Sequence, residues 1–226
     1  PGNWNKCGNP SQITDEGYKK VADCGLNSIY ALYEFLSSKD TAEAARLAGK
    51  YGIKYYARDT ENITGDPIDD ELEPGDIRDR AYVQAYCNEP GFAGHLATDE
   101  PGASRFTQLG HLKEFYEEEF PGKEFYVNLF PCYASLSQIQ TDNYEDYIDQ
   151  YISKVNPSFL SYDHYALEED AYGHVKYTGS VLYNHYVVAQ KASAAGIPYG
   201  NFTQTLKFSG SSFNKKELLS VGCISK

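Results

Sequence analysis

Long apolar runs are missing from this chain. No stretch of 18 apolar residues occurs in its 226 residues, so no segment reads as a membrane span. Positive charge is also scarce. Lys and Arg total 20 against 32 Asp and Glu, a net charge of −12, which excludes nucleic acid because phosphate backbones need a basic surface. None of the five cysteines forms a Cys-x-x-Cys pair, the spacing that zinc or dithiol redox chemistry uses. His-rich ligand spacing, a Gly-x-Gly-x-x-Gly after the first strand and a Ser-His pairing are absent too. No metal and no cofactor are therefore expected. Methionine is absent even at the start. The chain opens Pro1-Gly2-Asn3 without an apolar leader, which reads as a processed chain or part of a longer one with further domains.

What is present is aromatic and acidic. Aromatics make up 15% of the chain, mostly as 21 Tyr, and a tyrosine offers an apolar face with a polar tip that stacks on sugars. Cys7 and Cys24 flank a predicted helix from about Asp15 to Asp23. Its ends lie roughly 13 Å apart at 1.5 Å per residue, too far for a disulfide, so free thiols are expected.

The organisation is a strict alternation of helix and strand. Thr14 caps a helix that Gly25 ends, and Leu26 to Tyr33 reads as a buried strand. Asp40-Thr41-Ala42-Glu43 resembles a capping box opening a helix to Lys50, before a strand at Ile53 to Ala57. An acidic loop, Asp66 to Asp76, has spacing unlike a calcium loop and reads as solvated. A helix around Ile77 to Tyr86 precedes a strand at Gly94 to Thr98. Phe106 to Phe120 is the next helix and Phe125 to Phe130 the next strand. Tyr144, Tyr147, Ile148, Tyr151, Ile152 and Val155 then fall on one helical face. Phe159 to Tyr162 reads as a strand, Val181 to Ala194 as a helix and Ile197 to Thr205 as a strand.

Six such steps without a hairpin signal predict an α/β fold with parallel crossovers. Polar residues end nearly every strand, which favours a (β/α)8 barrel over a doubly wound sheet. Residues 1–226 are read as a single such domain with its first and last strands missing. The strand ends are Tyr33-Glu34, Arg58-Asp59, Asp99-Glu100, Asn128 with Tyr133, Tyr162-Asp163-His164-Tyr165, and Gln204. On the barrel reading they converge on one mouth of carboxylates, one Arg, amides and tyrosines. Sugar hydrolysis needs that set: a carboxylic acid for the leaving oxygen, a second carboxylate, and planar groups to grip hydroxyls. Asp99-Glu100-Pro101 is its centre, and Asp163 its other acid. Arg58-Asp59 reads equally well as an ion pair shaping the mouth, and His95, inside a strand, as a core histidine.

The Gly94-to-Pro101 segment, the Ser161-to-Tyr165 strand end and the strand carrying Gln204 resemble (β/α)8 glycoside hydrolases. The likeness is closest to loosely characterised ones with Asp-Glu-Pro after the fourth strand. It covers about residues 10 to 210. It implies that Glu100 is the general acid/base. Where the large clan has a nucleophilic Glu on the seventh strand, this chain has Gln204, so two mechanisms stay open. Asp99 orients a substrate acetamido group beside Glu100, with Tyr162 bonding the acetamide, or Asp163 is the second carboxylate. A separation of about 5 to 5.5 Å from Glu100 fits a nucleophile and about 6.5 to 9.5 Å an inverting base. Arg58, Asp59, Asn128, Tyr133, Tyr162, His164, Tyr165 and Gln204 would bind substrate. The resemblance implies a glycan or oligosaccharide partner and an extracellular or cell-surface location. The alternative class is a catalytically inactive carbohydrate-binding barrel or scaffold segment.

Overall fold

Local signals start and stop the helices as the chain enters its fold. In the computed structural model, which describes residues 13–31, 36–58, 77–169, 174–177 and 179–202, Thr14 accepts the Gly17 amide at 3.1 Å. That bond opens α1 (Asp15–Asp23). α2 (Ser38–Lys50) begins two residues before the expected capping box, because Ser37 Oγ takes the Asp40 amide at 3.2 Å. Between them β1 is only Ser28–Tyr30, and Leu26, expected inside it, is exposed. The helix expected around 77–86 is reduced to α3 (Ala81–Gln84), whose N-cap Arg80 makes no side-chain capping bond.

The chain divides into two compact units, Asn3–Thr98 with Gln108–Tyr126, and Asp99–Thr107 with Val127–Lys226. The four strands of the main sheet are β1, β2 (Lys54–Arg58), β3 (Phe92–Asp99) and β4 (Glu124–Asn128), side by side in chain order. β1 pairs parallel with β2 and β2 with β3, with a bulge between Tyr55 and Tyr56. Gly94 is required here. At φ +148° a Cβ on it would lie 2.1 Å from the Glu124 carbonyl oxygen, so only glycine lets β4 approach. α4 (Phe106–Glu119) joins β3 to β4.

Within the first unit the core is built around His95, which is fully buried. The Tyr86 hydroxyl lies 2.7 Å from its Nε2 and the Tyr116 hydroxyl 2.9 Å from its Nδ1. Phe92 and Phe120 close over it edge to face. Burial lowers its pKa from 6.5 to about 3, so the ring stays neutral. The expectation of a core histidine holds.

In the second unit β5 (Leu160–Asp163) pairs parallel with β8 (Tyr199–Phe202). Leu129, just past β4, makes a parallel bridge to Tyr162. The unit also holds α5 (Leu136–Ile139), α6 (Tyr144–Val155) and α7 (Val181–Ala195). α6 follows the predicted stripe, with Tyr144, Tyr147, Ile148, Tyr151 and Val155 buried, each such apolar burial contributing about 2 kcal/mol. Asn143 caps its start by accepting the Asp146 amide at 2.9 Å. One expectation is corrected. β6 (Leu167–Glu169) and β7 (Val175–Tyr177) form an antiparallel pair, where the sequence shows no hairpin signal. Three-residue strands hold too few alternations for a period of two to be read.

The fold is thus α/β with parallel sheets, and closure of the strands into a ring is not seen among the described residues.

Candidate active site

Three carboxyl groups meet at the ends of β3 and β5, all within the second unit. β3 ends at Asp99 and its ladder continues one residue further, the Glu100 amide donating to the Asn128 carbonyl at 2.8 Å. Glu100 then turns into the left-handed region at φ +50°, a conformation disfavoured for a residue with a Cβ. Pro101 follows, and its carbonyl accepts the Tyr147 hydroxyl of α6 at 2.8 Å. That bond fixes the turn which aims Glu100.

Asn128 stands at the end of β4 and is 1% exposed. Its Nδ2 donates to Asp99 Oδ1 at 3.1 Å, and its Oδ1 accepts from Ser161 Oγ at 3.3 Å. Asp163, the last residue of β5, lies close enough to Asn128, Asp99 and Glu100 for each to act on its pKa. Its Oδ1 is buried and has no partner in the folded chain.

Burial raises the Glu100 pKa first, and the charges of Asp163 and then Asp99 add to it, bringing it from 4.5 to about 7. Burial and the Asp99 charge also raise Asp163, against the hydrogen bonds that hold its charged form. Glu100 therefore carries a proton near neutrality while flanked by two aspartates, the arrangement of a general acid. Among the described residues no group of three His, Cys, Asp or Glu side chains is placed to hold a metal ion.

Tyr133, in the loop after β4, stands beside this cluster and is half exposed. Burial, with the charges of Asp163 and Glu100 adding, pushes its phenol up to about 12. Its hydroxyl accepts from the Tyr165 amide at 3.4 Å, and its ring meets His164 edge on at 4.9 Å. Tyr165 is also exposed, so this pair forms an aromatic lip.

Three residues expected to line the mouth lie instead in the interior: Asn128, Tyr162 and His164 are 1%, 1% and 3% exposed. The Tyr162 hydroxyl is 3.4 Å from His185 Nδ1 of α7. His164 Nδ1 donates to Asn184 Oδ1 at 2.8 Å, and burial lowers its pKa. For Tyr162 the physical reason is period two: within β5 it and Asp163 point to opposite faces, so the two do not share one mouth. Arg58 belongs to the first unit, and Asp59 and Gln204 fall outside the described residues, as do Tyr33, Glu34 and the 66–76 acidic loop.

Sequence reasoning missed Ser161 and Asn184 as supports. Asn184 is fully buried on α7, donating Nδ2 to the Tyr144 hydroxyl at 3.0 Å and accepting the Cys132 amide at 2.8 Å. The available signal was an amide on the otherwise apolar face of Val181, Val187 and Val188.

No protein-family model matches the sequence, and no curated protein matches it. Solved structures do. One, from Bacteroides thetaiotaomicron, bears the description putative alpha-L-fucosidase; it matches with a TM-score of 0.64 and 12% identity over 100% of this chain and 76% of that one. The likeness is one of fold. The endo-beta-1,4-mannanase from Thermotoga petrophila is more distant, with a TM-score of 0.49 and 10% identity over 86% of this chain and 58% of that one.

Proposed function

We propose that this chain cleaves a glycosidic bond in a glycan or oligosaccharide, with Glu100 as the general acid. The observation that carries this reading is the convergence of Glu100 with Asp99 and Asp163 at the ends of parallel strands, where burial and the two aspartate charges raise the Glu100 pKa to about 7. The fold likeness to the protein described as a putative alpha-L-fucosidase supports it. In the reaction Glu100 gives its proton to the departing glycosidic oxygen as the bond from that oxygen to the anomeric carbon breaks. Water then completes hydrolysis, and Glu100 recovers a proton.

The second carboxylate takes its role from its charge. The negative charge of Asp163 beside Glu100 adds to burial in raising the Glu100 pKa. Asp163 accordingly keeps Glu100 protonated, and its unpartnered Oδ1 offers an acceptor to a substrate hydroxyl or a water. Asp99 is then the assisting carboxylate, placed to orient a substrate group beside Glu100. Tyr133 and Tyr165 supply apolar faces on which a pyranose ring packs.

The test is turnover of aryl glycosides, N-acetylated ones included, by the chain and by Glu100→Gln. A loss of at least about a hundredfold in the variant is expected. Absent turnover with retained glycan binding would point instead to an inactive carbohydrate-binding protein.

A further inference from the structure

Glu100 keeps a left-handed backbone, φ +50°, that its own side chain does nothing to ease. Groups outside the residue hold it there. On its N-terminal side the hold is the rung from its amide to the Asn128 carbonyl at 2.8 Å. On its C-terminal side the following residues are gripped by one stretch of chain, residues 138–147, which runs from the end of α5 into α6. The Tyr147 hydroxyl, fully buried, donates to the Pro101 carbonyl at 2.8 Å and accepts the Phe130 amide at 3.4 Å. It thereby ties the loop after β3 to the loop after β4. Gln140 Oε1 accepts the Ser104 amide at 3.1 Å. Gly102 lies between these two bonds. A Cβ on it would meet Gln140 Oε1 at 2.5 Å and the Gln138 carbonyl oxygen at 2.9 Å, so the turn and residues 138–147 are in close contact. Of the three non-glycine residues with a left-handed backbone among the described residues, two, Glu100 and Gln140, belong to this contact. Strain kept on both sides of one contact marks a place where position is used.

We propose that residues 138–147 form a clamp that presets the aim of the general acid, with Tyr147 and Gln140 as positioning residues acting on Glu100 through the backbone of its turn. The inference rests on the reading of Glu100 as the acid and adds what holds that acid ready before substrate arrives. An acid works only within hydrogen-bond reach of the leaving oxygen, and a displacement of about 1 Å costs up to about a hundredfold in rate. Releasing either anchor lets the strained φ relax and carries the carboxyl off its line. The clamp also explains the hydroxyl on the α6 stripe. A phenylalanine at this place would bury the same ring, whereas a buried phenol needs partners, and those of Tyr147 are backbone groups of two loops and not of its own helix.

Tyr147→Phe tests the clamp, because it keeps the ring packed 5.2 Å from that of Phe106 and removes only the hydroxyl. Two measurements read it. The first is amide hydrogen exchange followed by NMR on the whole chain. The Glu100 amide, which Tyr147 does not touch, is expected to exchange about tenfold faster. The Leu160 amide of the same unit, bonded to the Pro198 carbonyl at 3.0 Å, is expected to keep its parent rate. The second is kcat/KM for a phenyl and a dinitrophenyl glycoside of the same sugar. Phenolate leaves poorly and needs the proton, whereas dinitrophenolate leaves without it. A loss of about tenfold is expected on the phenyl glycoside and of less than about twofold on the dinitrophenyl one. Gln140→Leu, at an exposed position, is expected to act in the same direction and carries both measurements if Tyr147→Phe does not fold. Gln140→Glu keeps the acceptor and is expected to behave as the parent. An unchanged Glu100 amide overturns the proposal, as does equal acceleration at Glu100 and Leu160 or an equal loss on the two glycosides. A parent chain that cleaves neither glycoside overturns the glycosidase reading instead, and amide exchange then decides the clamp by itself.

Discussion

The two units each bury titratable side chains, and they do so in opposite ways. His95 in the first unit has a tyrosine hydroxyl on each ring nitrogen and four aromatic rings around it, two of them those tyrosines' own. Nothing near it is left to bind. Glu100, Asp99 and Asp163 in the second unit are crowded carboxyl groups with an acceptor oxygen of Asp163 unfilled. A complete set of neutral partners stabilises a fold, whereas crowded acids oppose it and persist where chemistry uses them. Burial by itself does not mark a site; the choice of partners does.

The comparison breaks most visibly through stability at His95. His95→Leu strands two buried phenol hydroxyls, and a loss of about 3 kcal/mol in urea unfolding is expected, at 1–3 kcal/mol for each orphaned group. An unchanged midpoint would show that His95 and its tyrosines are not the structural cluster described. At the other region, Glu100→Gln is expected to cost no stability while turnover falls at least about a hundredfold, close to 2.7 kcal/mol in barrier.

A sharper contrast comes from Glu100→Asn. Asn tolerates the left-handed backbone of this position better, so a gain of about 1 kcal/mol is expected alongside lost activity. A destabilised variant would mean that the turn is held by the Glu side chain and not strained by it.

The smallest effect is the slope of stability with pH, and it has opposite signs in the two regions. The folded Glu100 binds its proton more tightly than the unfolded one. Its contribution is full below pH 4.5 and is lost as pH rises to about 7. His95 has its pKa lowered on folding, so its contribution is full above pH 6.5 and is lost as pH falls toward about 3. Unfolding across pH 3–8 should show Glu100→Gln flattening the alkaline loss and His95→Leu the acid loss. If both variants alter the same limb, one of the two assignments is wrong.

Much of the scaffold was legible because periodicity and capping are local. The tyrosine stripe of α6 places five of its members in the core, and Thr14 and Asn143 cap helices by bonds within three residues. Asp99-Glu100-Pro101 was legible as a strand end for the same reason. Less legible were the short elements, β1, α3 and the β6–β7 pair, where three or four residues carry no period. The inward turn of Asn128, Tyr162 and His164 was not legible, because which face of a strand end meets the interior depends on what packs against it.

By itself, then, the sequence determined the α/β alternation, the acidic end of the strand before Pro101 and the neutral core place of His95. Tertiary structure alone decided that Asp163 meets Glu100, 63 residues away in the chain. It also decided that Asn128, buried at the end of β4, donates to Asp99. The reason is physical. Helix periods and caps act over a few residues, whereas a carboxyl pKa responds to whichever charges and donors the fold brings within a few ångströms.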